Sequence, residues 1–179
     1  MIKPITFPGQ KVPAVAHGAI FQQLLSDGKL YGCGLSKTGS TLNVGTGLFV
    51  EAGRLIEIST TETVSVAGTS GYARIKGVID TSKGSSADSF QQFAWAVDYS
   101  STVTGFDALT QGKVNEGGAA TYEMELCVVS VNASGISEIT RGFADAETKR
   151  TGRIKLTAGV DYGAQLPTDI KDGELFFMV

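Results

Sequence analysis

Two periodicities divide the chain. In VAHGAIFQQLL, which follows Pro13, Ala16, Ile20 and Leu24 recur every four residues with Phe21 and Leu25 beside them, while Gln22 and Gln23 fall on the other side. That spacing predicts an amphipathic helix, ended by Asp27 and Gly28. From Leu30 to Ile58 the chain reads LYGCGLSKTGSTLNVGTGLFVEAGRLIEI, short apolar and β-branched runs broken every few positions by glycine. Closely spaced turns between short strands predict a compact meander. Beyond Ile58 the period is two. Val64 and Val66 mark one strand, and YARIKGVID places Ala73, Ile75 and Ile79 on one face and Arg74, Lys76 and Asp80 on the other, as in a half-buried antiparallel strand. FAWAVDY aligns Phe93, Trp95, Val97 and Tyr99, and TYEMELCVVSV aligns Tyr122, Met124, Leu126 and Val128, so both are expected to contribute to the core.

Between these strands, TSKGSSADS from Thr81 and TGFDALTQGKVNEGG from Thr104 are rich in turn formers and read as loops long enough to be tips or arms. GFADAETKRTGR mixes both charge signs and predicts a short helix around Ala144 to Arg150, after which IKLTAGVDY and ELFFMV return to strand composition. The expected fold is mainly β: an antiparallel, jelly-roll-like β-sandwich with one N-terminal helix, a single domain over 1–179 that opens with a helix and glycine-rich meander at about 14–60.

Composition supports that class. Of 179 residues, 42% are hydrophobic and only 18% charged, so Ser, Thr, Gly and Gln supply the polarity, as suits pleated surfaces joined by glycine turns. A net charge of -3 offers no attraction to a phosphate backbone or an anionic membrane, and nucleic acid is not an expected partner. With no basic region leading an apolar stretch and no long apolar run, neither a signal peptide nor membrane insertion is expected.

Candidate chemistry is sparse. Cys33 and Cys127 lie far apart outside any CxxC and are expected to be small buried hydrophobes. His17, the one histidine, sits one turn before Phe21 on the helix flank, too isolated for a metal site. The glycines at 45, 47 and 53 do not form a GxGxxG before a helix, and Gly105 to Lys113 is too long for a phosphate-cradling loop. Glu123 and Glu125 project from one side of a strand, but alternating carboxylates are the ordinary dress of a solvated strand face. Asn132-Ala133-Ser134 fits a glycosylation acceptor, a match that arises readily by chance. No catalytic residue, metal or cofactor is expected. Tyr31 and Tyr99, near turn signals, are the aromatics placed for exposed binding contact.

The succession from Ala14 to Ile58, with its helix, its GCG strand and the pattern carried by Leu42, Val44, Gly47, Gly53, Arg54 and Glu57, resembles the opening module of small tail and baseplate proteins of siphophages that infect Gram-positive bacteria. Tail-region products of Bacillus phages are among them, and through these the chain is similar to the shoulder domain of lactococcal phage receptor-binding proteins. The resemblance implies a non-enzymatic structural component of a tail tip or baseplate, taking part in host adsorption. It further implies a homo-oligomer, a trimer above all, in contact with other phage tail proteins, made in the host cytoplasm and carried in the virion tail. No saccharide-binding residue of the family can be placed on this sequence. Arg54 and Glu57 read either as an exposed ion pair or as a pair that orders a turn or touches a neighbouring subunit.

Two other classes remain open. A carbohydrate-binding module or adhesin would touch cell-wall polysaccharide through the loops at 81–89 and 104–118 together with Tyr99 or Tyr31. A wall hydrolase would need a carboxylate pair across a cleft, with Glu123 as the residue to test.

Overall fold

The computed structural model describes residues 14–68, 70–84 and 91–149. Among them are one helix, α1 (Ala14–Leu24), and ten strands: β1 (Gly28–Gly32), β2 (Leu35–Thr38), β3 (Thr41–Val44), β4 (Gly47–Glu51), β5 (Arg54–Ile58), β6 (Glu62–Ser65), β7 (Gly71–Asp80), β8 (Phe93–Ser100), β9 (Thr121–Asn132) and β10 (Gly135–Arg141). Every strand pairing is antiparallel. The fold is mainly β with one N-terminal helix, as the periodicity predicts. Residues 85–89 of the first long loop, Arg150, and the expected strands near the C-terminus lie outside the described residues.

The glycine-rich stretch forms the expected meander, and it is bent. Six strands divide into two small sheets, β1-β4-β5 and β2-β3-β6. These are two halves of one ribbon, because the ladder continues through the bend: Cys33 N donates to Thr46 O at 2.9 Å and Gly45 N to Gly34 O at 2.8 Å. The chain turns the corner where Gly32 and Cys33 both take positive φ, 64° and 52°. Opposite them a β-carbon on Gly47 would lie 2.4 Å from Cys33 N and Tyr31 O, so only glycine fits. The β4–β5 hairpin closes over Ala52 and Gly53, with φ of 50° and 73°, the left-handed pair that matches strand twist in a two-residue turn.

The remaining strands make a four-stranded sheet in the order β10-β9-β7-β8. Segment 101–120 carries the chain from β8 to the far side of β7. The meander and this sheet share one core in a sandwich-like arrangement. Leu42, Val44, Phe49 and Val64 come from the meander, and Ala73, Ile75, Leu126 and Val129 from the sheet. Phe49 sits at its centre, with ring centroids 5.8 Å from Phe93, 6.0 Å from Trp95 and 5.6 Å from Phe143. Trp95 is half-buried and packs against this core, and both cysteines are buried within it, as expected.

Two local expectations are overturned. The helix docks by a different face: Ile20 and Leu24 are 48% and 55% exposed, whereas Gly18 is its one buried residue and Gln22 bonds inward to Asn115. Close backbone approach decides this, since a β-carbon on Gly53 would lie 2.1 Å from Gly18 O and 2.4 Å from Gln22 N. Residues 144–149 form no helix. They run extended along 24–29, with Lys29 N donating to Ala144 O at 2.9 Å, Ala146 N to Lys29 O at 2.8 Å and Ser26 N to Glu147 O at 2.8 Å. This strap satisfies backbone groups of β1 that an open sheet edge would leave exposed.

Candidate functional site

The polar face of β7 is where the chemistry collects. Arg74 and Lys76 were expected on a half-buried strand's polar face, yet they are only 5% and 9% exposed. Cations do not stay buried without partners, and both have them. Arg74 Nη2 lies 2.6 Å from Asp98 Oδ2 on β8, and Lys76 Nζ lies 3.0 Å from the same oxygen and 2.7 Å from Glu123 Oε1 on β9. The register explains the cluster, because Arg74 faces Asp98 directly across the β7–β8 ladder.

Segment 102–111 covers the cluster. The Phe106 ring lies over the Arg74 guanidinium at 5.0 Å from its centroid, a cation–π contact strengthened by loss of water. Thr110 N donates to Glu123 Oε2 at 2.8 Å, and Gln111 Nε2 to Glu123 O at 2.8 Å. The expected arm is therefore pinned to the sheet over part of its length. Beneath it lies a cavity of about 430 Å³ lined by Arg74, Lys76, Asp98, Glu123, Phe106 and Asp107 among others. Burial raises the Asp98 and Glu123 carboxyls, but hydrogen bonds from Arg74, Lys76 and Thr110 outweigh it and hold both below their ordinary values. Burial lowers Lys76 in turn, and its two carboxylate partners more than restore it, leaving the ammonium raised. All three groups stay charged near neutral pH.

A second buried acid faces the core. Glu51 ends β4 with no exposure, and neither carboxyl oxygen has a hydrogen-bond partner. It lies over Gly77, where a β-carbon would come 2.3 Å from Oε2. Burial pushes its carboxyl up to about 9, and the charges of Asp27 and Glu123 add to the rise. Asp27 has two partners of its own, Ala52 N at 2.8 Å and the Tyr122 hydroxyl at 2.6 Å. Burial also raises the Cys127 thiol to about 12, which keeps it protonated and unreactive.

The two carboxylates considered as an acid and base pair are engaged separately. Glu123 holds Lys76, while Glu125 takes a two-point contact from Arg141, with Nε 2.6 Å from Oε1 and Nη2 2.9 Å from Oε2. Arg54 and Glu57 alternate to opposite faces of β5, as a spacing of three in a strand requires. Arg54 Nη2 bonds Val114 O at 2.9 Å and so ties a loop to the hairpin, while Glu57 is exposed. Glu57 shares a cross-strand row with Tyr31 through Leu48. Tyr31 is 61% exposed there. Tyr99 is 51% exposed on β8, with its ring beside Gly68 and Val131. Its side chain alternates to the face of β8 opposite that of Asp98, yet Tyr99 borders the cavity over the charge cluster while Tyr31 does not, so the two tyrosines do not build a common site.

Sequence reasoning missed Asp98, Phe106, Glu51 and Asn115. Asp98 was legible in principle as the one charged residue of FAWAVDY, set across from an Arg/Lys pair. Phe106 and Asn115 carry no periodic signal. Among the described residues no group of three His, Cys, Asp or Glu is placed to hold a metal ion, and no helix is long and apolar enough to cross a membrane. No protein-family model matches the chain, and no curated protein matches it in sequence.

Proposed function

We propose that the protein is a non-enzymatic structural component that works by association, in the manner of the phage tail-tip or baseplate proteins that its segment 14–58 resembles, as part of a host-adsorption apparatus. The observation that carries this reading is the outward apolar face of α1. Ile20 and Leu24, one turn apart on the side away from Gly18 and Gln22, are 48% and 55% exposed, and Leu55 on neighbouring β5 is another exposed aliphatic. A helix that turns its small and polar residues inward and its aliphatic ones outward gains by covering them, at roughly 25 cal/mol per Å² of apolar surface removed from water. The carboxylates that might do chemistry are instead held in ion pairs with Lys76 and Arg141. That arrangement engages Glu123 and Glu125 separately and stabilises architecture.

The partner on this reading is first a further copy of the chain, with a trimer favoured by the resemblance, and then other tail proteins. Native mass by light scattering after size exclusion, over a range of concentrations near neutral pH, tests it. A stable trimer or other closed oligomer is the expected result. A strict monomer at every concentration overturns assembly through like subunits.

A further inference from the structure

We propose that the cavity beneath segment 102–111 is a binding site for a neutral polyhydroxylated ligand, a pyranose unit in particular. Its volume of about 430 Å³ lies within the range of small-molecule sites, and its lining is mainly polar with the Phe106 ring among few apolar groups, which suits a ligand rich in hydroxyls.

The charges select the ligand class. Arg74 and Lys76 bring two cations to the wall, and Asp98, Glu123 and Asp107 bring three carboxylates. An anion meets the carboxylate excess, an organic cation meets two buried positive groups, and an apolar ligand strands the polar wall without partners. A neutral ligand whose groups both give and accept hydrogen bonds meets none of these costs. Asp107 is exposed and pairs with no described residue, and Asp98 keeps about a third of its side chain open, 32%, while both its cations take Oδ2. These carboxylates are acceptors for ligand hydroxyls. On the donor side, Lys76 Nζ has three protons for two partners. Phe106 supplies the flat apolar surface on which a sugar ring packs its C–H face.

The site is also built in advance. The Thr110 and Gln111 bonds to Glu123 fix the loop's end, and the Phe106–Arg74 contact fixes its middle. A ligand therefore orders little on arrival, which favours binding. The ion network has a role here beyond packing: it holds the donors and acceptors in place on three adjacent strands.

The test is an NMR titration of the full chain with glucose, galactose and N-acetylglucosamine as separate probes, and with inorganic phosphate as the anionic control. At least one sugar is expected to shift amides of Lys76, Asp98 and residues 105–110 in a saturable way, with phosphate silent there. Asp107→Asn, which breaks no existing contact, is expected to weaken that sugar at least tenfold, and Phe106→Ala likewise. Native mass read on the same samples keeps the outcome separate from the assembly reading. The proposal is overturned if no sugar shifts these amides, if phosphate binds there in preference, or if Asp107→Asn binds as the parent does.

Discussion

Glu51 concentrates the physics of single residues in this molecule. A carboxyl buried without hydrogen bonds stays neutral, and its value of about 9 stands well above the ordinary 4.5. The native state therefore holds a proton that the unfolded chain releases above about pH 4.5, so this group's contribution is complete below that pH and is lost as pH rises toward 9. Glu51→Gln, neutral at every pH, is expected to remove that decline and to raise the thermal midpoint at pH 8 while changing little at pH 4. Melts of both proteins across this range check it, and an unchanged pH slope contradicts the assignment. Gly53 poses the opposite problem, with positive φ and a backbone neighbour at 2.1 Å from the missing β-carbon. Gly53→Ala is expected to cost more than the ~1 kcal/mol of conformational strain alone, because α1 must lift from the hairpin. Denaturant unfolding measures the loss, and hydrogen exchange over 14–24 shows whether the helix has loosened.

At the scale of elements, the strands were legible and the faces less so. Period two located β7, β8 and β9 because alternation is a direct consequence of the pleat. It placed Arg74 and Lys76 together correctly, but not their burial, since nothing periodic announces that segment 102–111 lies across them. The helix failed for a related reason. Its Ala16, Ile20 and Leu24 stripe is genuine, but Gly18 lets two backbones meet, and that contact with Gly53 fixes which side faces in. The mixed charges of 144–149 predict a helix, whereas the hydrogen bonds of this strap go to β1 and the end of α1. Within the β7 cluster, Arg74→Ala removes one of the two cations on Asp98, which is a third exposed and keeps Lys76, and is expected to cost about 2 kcal/mol, as for loss of a hydrogen bond to a charged group. A double-mutant cycle with Asp98→Ala in denaturant unfolding reads the coupling; additivity of the two losses contradicts the network. Because Asp98 and Glu123 sit below their ordinary values, their contribution is present above about pH 4 and is lost as pH falls through the folded values.

For the whole molecule, the meander explains how a chain with few charges reaches a defined shape. One ribbon bends at Gly32–Gly34 and Gly45–Thr46, and its halves close on the four-stranded sheet, one through Phe49 and its aromatic neighbours and the other through Leu42, Val44 and Val64. The motif residues of the resemblance are largely architectural: Leu42 and Val44 fill the core, and Gly47 and Gly53 permit close approaches. They account for a shape but do not specify a partner. What the sequence left hidden is the surface, because a single amphipathic stripe reads the same whether the chain itself or another subunit covers it. The exposed face of α1 is the point on which the functional reading turns.

The most direct measurement is the native mass of the parent beside that of an Ile20→Asp, Leu24→Asp double variant, with circular dichroism to verify the fold. Both side chains are already exposed, so the variant is expected to keep the parent's spectrum and thermal midpoint while its mass falls from an oligomer to 18.7 kDa. A folded variant that retains the parent's oligomeric mass would contradict assembly through this face.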